Sequence, residues 1–153
     1  MGYSVYDTDS EAKRLMESSL EVVQKLSECF GRDIYHNGRL NRGLLSSRVF
    51  GKSDKIVLLN SIVHPVVRFD FYRWSESLNE EICFVESAIL YESRFDELVD
   101  EVWTVTAPEE LRISRVRQRS GLTEEEIKKR MAAQLSEEEK QRRAAHIIWN
   151  DGN

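Results

Sequence analysis

Two carboxylates near the start of the chain have a spacing that suits phosphoryl-transfer or metal chemistry. Asp7 and Asp9 lie where the apolar stretch "YSVYD" gives way to a helical pattern. A carboxylate at such a place can accept the proton of an attacking hydroxyl group or hold a metal ion. Residues at such a junction can instead cap the helix. Thr8 followed by Glu11 fits a capping box, and acidic side chains such as Asp7 and Asp9 are favoured near a helix N-terminus. The local pattern leaves both interpretations open.

Three arginines at helical spacing form a second candidate group. Arg112, Arg115 and Arg119 lie three and four residues apart, so their guanidinium groups share one face of a helix. Such a face can bind phosphates, or it can be a solvated surface with ion pairs. After them, "RSGLT" supplies a glycine break on which a mobile lid can hinge, although any turn between helices would look similar.

Ion pairs explain the charged segment after that break better than a site does. Glu124, Glu125 and Glu126 each lie four residues before Lys128, Lys129 and Arg130. We expect Lys128 and Lys129 to be solvated, while Arg130 is open between the two interpretations.

Alternating apolar and helical stretches predict the elements that position these side chains. The strand candidates are short, nearly continuous apolar runs, as expected of strands covered on both faces: 82–90, 101–107, 145–150 and, more weakly, 3–7. Helical patterns cover 10–30, 41–50, 55–78 and 109–145. This alternation predicts an α/β fold with a parallel sheet. Ligands of such sheets bind beyond the carboxyl ends of the strands, where Asp7 and Asp9 are expected.

Composition narrows the classes of partner and compartment. The 153 residues suit one domain, and no uninterrupted apolar stretch is long enough to span a bilayer. A net charge of -5 does not favour nucleic acid as the main partner. Cys29 and Cys83 stand far apart without a CxxC or Cys/His cluster, which predicts no disulfide framework and no zinc site. Without a signal-peptide pattern, a cytoplasmic location is the simplest expectation.

Six stretches, in this order, resemble the dephospho-CoA kinase family, whose enzymes catalyse the last step of coenzyme A biosynthesis. They are "VYDTDSEAKRL", "FGRDIYHNGRLNRGLLSSRVF", "LNSIVHPVV", "ESAILYES", "VDEVWTVTAPEELRISRVRQR" and "HIIWNDG". The resemblance covers essentially the whole chain. It implies a P-loop kinase fold of the nucleoside-monophosphate-kinase type, as a single domain over 1–153. Within it, 31–80 would be a helical region that binds dephospho-CoA, and 109–145 a lid with its following helix.

The resemblance implies ATP-dependent phosphorylation of the ribose 3'-hydroxyl of dephospho-CoA, with Mg²⁺ as cofactor. Asp9 matches the catalytic carboxylate that orients or deprotonates this hydroxyl. Asp7 would lie close by, toward the metal ion or as a cap. Arg115 and Arg119 match lid arginines that offset charge on the ATP phosphates. Arg112 has no such match.

The acceptor side of the resemblance rests on a His-Pro pair. His64 and Pro65 match the His-Pro pair of the family's acceptor-binding region, although a helix-capping or core histidine would have the same local sequence. Arg68, one helical turn further on, would face the phosphates of dephospho-CoA or solvent. Glu86 interrupts an apolar strand, so it would be a buried carboxylate that faces Mg²⁺ through water or pairs with a lid arginine. Glu92, beyond the end of that strand, is a further candidate for substrate binding.

The donor side extends to the end of the chain. Arg130 and Gln134 continue the lid pattern and are further candidates. Asn150 to Gly152 fall where the fold places a turn near the adenine, and an ordinary surface turn would have the same sequence.

One departure from the family affects the whole ATP site. The family opens with a strand, a GxxxxGK(S/T) loop and a helix before the DxD stretch, and none of the seven glycines forms that pattern here. We therefore expect a truncated chain that is inactive alone. Its apolar strands would be left beside an unpaired edge, which a partner chain or a second copy could fill. The alternatives are a non-catalytic protein that binds a CoA-like ligand, an interaction module and a kinase for nucleoside monophosphates.

Overall fold

A computed structural model describes residues 2–152 and shows an α/β protein, with six strands and seven α-helices over that range. The chain divides into two compact units: the first ends at Ala88 and the second begins at Ile89. Two pairs of parallel strands confirm the predicted parallel pairing, and an antiparallel hairpin was not predicted. No helix of the described chain is long and apolar enough to cross a membrane.

The first unit has four strands and four α-helices among its described residues. In order they are β1 (Val5–Asp7), α1 (Thr8–Ser18), α2 (Leu20–Phe30), β2 (Tyr35–His36), β3 (Arg39–Leu40), α3 (Arg42–Val49), α4 (Ser53–Glu76) and β4 (Phe84–Glu86). β1 and β4 are parallel, with Val5 opposite Phe84 and Asp7 opposite Glu86. The carboxyl ends of both strands therefore carry an acidic residue.

The helix predicted over 10–30 is two helices. Ser19 has an extended backbone (φ -82°, ψ 114°), ends α1 and begins α2, where its hydroxyl accepts a hydrogen bond from the Val22 amide. Serine often begins a helix in this way, and the apolar pattern alone could not show the interruption. The helices predicted over 41–50 and 55–78 are confirmed as α3 and α4 with small changes at their ends.

A short hairpin, β2 and β3, lies between α2 and α3. Its turn is Asn37 and Gly38, which have φ of 50° and 76°. Asn-Gly is the residue pair that such two-residue turns favour, because both positions need positive φ. The hairpin was therefore readable from the sequence but was not predicted.

Helix α4 packs one face on the core of the first unit. Tyr6 of β1 is 3% exposed, its ring lies 5.3 Å from that of Phe71, and its hydroxyl donates to the Asp70 carboxylate at 2.7 Å. Pro65 lies inside α4 and cannot donate to the Ser61 carbonyl. Ser61 is an exposed residue, and the helix continues past Pro65 without this hydrogen bond.

The second unit has two strands and three α-helices among its described residues. They are β5 (Trp103–Thr106), α5 (Glu109–Ser120), α6 (Glu124–Ala132), α7 (Glu137–Arg143) and β6 (His146–Trp149). β5 and β6 are parallel. The predicted glycine break is confirmed: Gly121 ends α5 with φ 69°, and Thr123 begins α6 with a capping box to Glu126.

The strands are shorter and less covered than the apolar runs predicted. The run over 82–90 contributes only β4, and the chain then forms turns that lead to the buried Phe95. Trp103, Val105 and Trp149 are 55%, 61% and 59% exposed, so the expectation of strands covered on both faces is wrong. Within the described chain, β4 pairs only with β1 and β5 only with β6.

Gly31 occupies a backbone position that disfavours any other residue. It ends α2 with φ 94°, and a Cβ there would lie 2.6 Å from Nη1 of Arg48 and 2.7 Å from Oδ1 of Asp33. Arg48 donates to the Phe30 carbonyl and to the Asp33 carboxylate, which links α3 to the end of α2. A methyl group would displace these side chains as well as straining the backbone.

We predict that Gly31→Ala lowers the free energy of unfolding by about 1–3 kcal/mol, measured as the shift of the urea midpoint. Gly38→Ala is the matched control, because Gly38 also has positive φ (76°) but no atom within 4 Å of its added Cβ. The loss should be larger for Gly31→Ala, since only that variant also breaks the hydrogen bonds of Arg48. Equal losses would show that Arg48 and Asp33 move aside without consequence.

Candidate functional site

Asp7 caps the helix that follows β1. Its carboxylate accepts hydrogen bonds from the backbone amides of Asp9 (3.0 Å) and Ser10 (3.2 Å), and from the Ser10 hydroxyl (2.6 Å). These hydrogen bonds, chiefly the one from the Ser10 hydroxyl, hold the pKa of the Asp7 carboxyl below its usual value. The expected capping role is thus confirmed for Asp7.

The capping box predicted from Thr8 and Glu11 is wrong. Thr8 is already the first residue of α1, is buried, and its hydroxyl donates to the Glu86 carbonyl at 3.0 Å. Glu11 pairs with Arg14 instead. The reason is that β1 and α1 join without an intervening residue, so the last residue of the strand is itself the cap.

Asp9 is the free carboxylate of this junction. It is the second residue of α1 and is exposed, and among the described residues its side chain has no hydrogen-bond or ion-pair partner. The Asp9 backbone amide donates a hydrogen bond to the Asp7 carboxylate, which fixes the position of Asp9 while its own carboxylate stays accessible. A base for a substrate hydroxyl needs this combination.

Glu86 ends β4 beside Asp7 but is exposed. Our expectation of a buried carboxylate is wrong, because the strand stops at Glu86 rather than continuing to residue 90. No group of three or more His, Cys, Asp or Glu side chains in the described chain could hold a metal ion. Mg²⁺ usually takes one or two protein carboxylates and completes its ligands with phosphate and water. Asp7 and Glu86, opposite each other on neighbouring strands, fit that smaller requirement.

The acceptor candidates His64, Pro65 and Arg68 lie together on α4. Burial lowers the pKa of the half-buried His64, and the positive charge of Arg68 lowers it further. A neutral imidazole and a guanidinium therefore stand one helical turn apart. Pro65, between them, is exposed.

Arg115 and the three residues after β6, Asn150–Gly152, called the turn below because the sequence predicts one there, meet in the second unit. The Arg115 guanidinium donates to the backbone carbonyls of Asn150 (2.6 Å) and Gly152 (2.7 Å). Two regions that sequence reasoning assigned to ATP are thus in direct contact. Arg119, four residues further along α5, is exposed and has no side-chain partner among the described residues.

Glu137 is a residue that sequence reasoning missed. Its carboxylate lies 3.0 Å from the Arg112 guanidinium and 3.4 Å from the Lys140 ammonium, and accepts a hydrogen bond from the Thr106 hydroxyl at 3.1 Å. Thr106 is the last residue of β5, so Glu137 holds the first turns of α5 and α7 at the end of this strand. Its only local signal was an acidic residue in the first turn of a helix.

The remaining lid candidates have structural partners or solvent around them. The Glu92 carboxylate accepts a hydrogen bond from the Leu135 amide at 2.6 Å, which orders the link between α6 and α7. Lys128 and Lys129 pair with Glu124 and Glu125, which confirms the ion-paired interpretation. Arg130 is exposed, and Gln134 accepts a hydrogen bond from Lys140 at 3.3 Å.

Comparisons with known proteins agree on one family. The family model described as dephospho-CoA kinase matches residues 1–153. A dephospho-CoA kinase of Porphyromonas gingivalis is 38% identical over 98% of this chain and 75% of its own length. One of Salinibacter ruber is 39% identical over 99% of this chain and 78% of its own length.

Solved structures give the same result. TT1252 from Thermus thermophilus superposes with a TM-score of 0.83 at 34% identity, and covers 99% of this chain and 78% of its own. A dephospho-CoA kinase from Campylobacter jejuni superposes with a TM-score of 0.70 at 25% identity, with the same coverage. The predicted P-loop kinase fold is confirmed.

The cap at Asp7 generates a pH-dependent prediction. Asp7→Ala should lower the free energy of unfolding at pH 7 by about 1 kcal/mol, whereas Asp7→Asn should lose only part of this, because asparagine keeps the cap but not the charge. The pKa of Asp7 is lower in the folded chain than in the unfolded one, so its charge stabilises the fold at neutral pH. This stabilisation is lost as the pH falls below about 4 toward the folded-state pKa.

Urea titrations at pH 7 and pH 3 measure both effects. The difference between the unmodified protein and Asp7→Ala should shrink at pH 3, because the Asp7 carboxyl of the unfolded chain is then mostly protonated. A loss for Asp7→Asn as large as that for Asp7→Ala at pH 7 would contradict the cap.

Proposed function

The chain belongs to the dephospho-CoA kinase family, and from that premise we propose how its residues share the reaction. Family membership makes the protein a phosphotransferase of coenzyme A biosynthesis, with ATP and dephospho-CoA as substrates and a divalent metal requirement. The observation that supports our assignment most directly is the accessible Asp9 carboxylate, held at the carboxyl end of β1 by the Asp7 cap.

Asp9 is the base for the acceptor. The ribose 3'-oxygen attacks the γ-phosphorus of ATP, the bond to the β-phosphate oxygen breaks, and ADP leaves. The proton of the 3'-hydroxyl passes to the Asp9 carboxylate. An exposed carboxylate without a protein partner can take up this position, whereas Asp7 cannot leave the cap without releasing the helix N-terminus.

The metal ion is Mg²⁺, held by few protein oxygens. Glu86 would reach it through water, and Asp7 would lie beside it. Their opposite positions in the strand register support this arrangement, and ATP phosphates would supply further ligands. When bound, Mg²⁺ neutralises charge that develops on the phosphates.

The acceptor binds along α4. His64 and Pro65 would contact dephospho-CoA, and the charge of Arg68 would attract its phosphates. His64 is neutral at pH 7, since its pKa is lowered, so it would bind as a hydrogen-bonding group rather than as a cation. Glu92 belongs to the same proposal as a further contact to substrate, although its carboxylate already holds the Leu135 amide.

ATP binds to residues of the second unit. Arg115 and Arg119 are the arginines that the resemblance assigns to its phosphates. Arg119 is the better supported of the two, because its guanidinium is exposed and unpartnered among the described residues. Asn150 and Gly152 would contact the adenine, and Arg130 would approach the phosphates.

Domain organisation, cellular location and association with other chains complete the proposal. Both units would belong to one kinase-like domain, in which 31–80 is the acceptor-binding region and 109–145 is the lid with its following helix. The two cysteines are free thiols, as in a reduced cytoplasm, where we place the protein. The exposed strand edges would suit association with a second copy. Nucleic acid is not expected as a partner.

Formation of coenzyme A tests the function. ATP, Mg²⁺ and dephospho-CoA are incubated with residues 1–153 and, where the natural polypeptide is longer, with that polypeptide. ADP release and the 3'-phosphorylated product are both measured. We expect product only with dephospho-CoA as acceptor. Transfer to a nucleoside monophosphate, or binding of dephospho-CoA without ADP formation in both proteins, would contradict the proposal.

Asp9→Asn should lower kcat by about a hundredfold to ten-thousandfold, because it removes the group that takes the proton of the 3'-hydroxyl. The dissociation constant of ATP, measured by titration calorimetry, should change little. Glu21→Gln is the matched control, since it removes an exposed carboxylate from the first turn of α2. Unchanged turnover in Asp9→Asn would leave Asp9 with only a stabilising role at the helix N-terminus.

A further inference from the structure

Arg115 joins α5 to the turn that follows β6. It donates at 2.6 Å to the Asn150 carbonyl and at 2.7 Å to the Gly152 carbonyl, so one planar guanidinium spans the whole turn. The Asn150 amide donates to the Thr106 carbonyl at 2.8 Å, which holds the other side of the turn to the end of β5. The turn is therefore fixed from both sides.

The arginines of α5 have three different environments. Arg112 is ion-paired with Glu137, Arg119 is exposed, and Arg115 is half-buried against two backbone carbonyls. No carboxylate pairs with Arg115 within the described chain. A guanidinium can span two carbonyls because its N–H groups have a fixed planar arrangement, which the single ammonium of lysine does not provide. These contacts define the shape of the turn.

We propose that Arg115 is a positioning residue: it holds the turn Asn150–Gly152 in the shape that reads the donor base, and so sets the preference for ATP over GTP. This inference rests on the proposed function, in which that turn contacts adenine. It changes the role of Arg115 from a phosphate ligand to a determinant of nucleotide specificity.

Base chemistry explains why a fixed turn discriminates. Adenine presents an amino donor where guanine presents the O6 acceptor. A carbonyl held in place accepts a hydrogen bond from the first and repels the second, and each carbonyl keeps a second lone pair after binding Arg115. A turn released from Arg115 can rotate its peptide groups and lose this distinction. Specificity of this kind depends on polar groups that cannot reorient.

The first experiment needs no activity. Hydrogen exchange of the peptide that contains residues 146–152 is followed by mass spectrometry, without nucleotide, in Arg115→Ala and Arg117→Ala. Arg117 is the matched control, because it is an exposed arginine of the same helix. Exchange should accelerate in Arg115→Ala only. Unchanged exchange in that variant would overturn the inference.

The second experiment separates positioning from phosphate contact. Arg115→Ala should raise the KM of ATP by about tenfold, the loss expected when one hydrogen bond between the held carbonyls and the base is no longer made, with a smaller effect on kcat. The ratio of kcat/KM for ATP over GTP should fall by about tenfold as well. Arg115→Lys should behave in the same way, and Arg119→Ala should lower kcat without changing the ATP/GTP ratio.

The outcomes distinguish the two proposals. A fall in kcat for Arg115→Ala that matches Arg119→Ala, with an unchanged ATP/GTP ratio, would overturn the positioning role. Dissociation constants for ATP and GTP, measured by calorimetry, give the same ratio without phosphoryl transfer. If dephospho-CoA is not phosphorylated but Arg115→Ala still lowers the ATP/GTP binding ratio, the proposed function fails and the inference stands.

Discussion

The hydrogen bond between the Tyr6 hydroxyl and the Asp70 carboxylate organises the first unit. Tyr6 is buried under α4, and because neighbouring strand residues face opposite sides, its burial places Asp7 on the outside of β1. The same Asp70 oxygen accepts a second hydrogen bond, from Arg14 of α1, at 2.7 Å. One carboxylate therefore connects β1, α1 and α4. Burial and Asp70 together raise the pKa of Tyr6 above its usual value, so its hydroxyl keeps its proton at neutral pH and remains a donor. The acidic junction that offers a base and the helix that offers His64 are thus parts of one connected structure.

The sequence predicted an acidic junction at Asp7 and Asp9, but it did not show which of the two carboxylates caps the helix and which stays accessible. Two carboxylates between a strand and a helix were visible, and so was their ambiguity between capping and chemistry. Which one caps depends on the residue at which β1 ends, and a strand of three residues has no local signal that defines its end. The same limit explains Glu86: an apolar run predicts burial, but the part of it beyond Glu86 forms turns rather than strand. By contrast, the glycine break at 121 was predicted correctly, because its positive φ is a local requirement.

Contacts in the second unit show why the rest was not predictable. Arg115 meets carbonyls 35 and 37 residues further along the chain, and Thr106 meets Glu137 across 31 residues. Helical spacing correctly indicated that the arginines belong to one helix. It could not assign each of them a partner, since the partners depend on how β5, α7 and β6 pack. Nor did composition distinguish Glu137 from the other acidic residues that open α6 and α7, although its carboxylate contacts both Thr106 and Arg112.

The three tryptophans are distributed over both units, so each unit has its own tryptophan fluorescence. Trp74 lies half-buried in the first unit with its ring 5.2 Å from that of Tyr6, close enough to receive excitation from the phenol. Trp103 and Trp149 stand on the β5–β6 pair with more than half of their surface in solvent. Emission from the second unit should therefore lie at the long wavelengths of hydrated indole, while Trp74 emits at shorter ones. Unfolding of the first unit and covering of the strand pair in the second would shift the spectrum in opposite directions, so ordinary fluorescence can follow the two events separately.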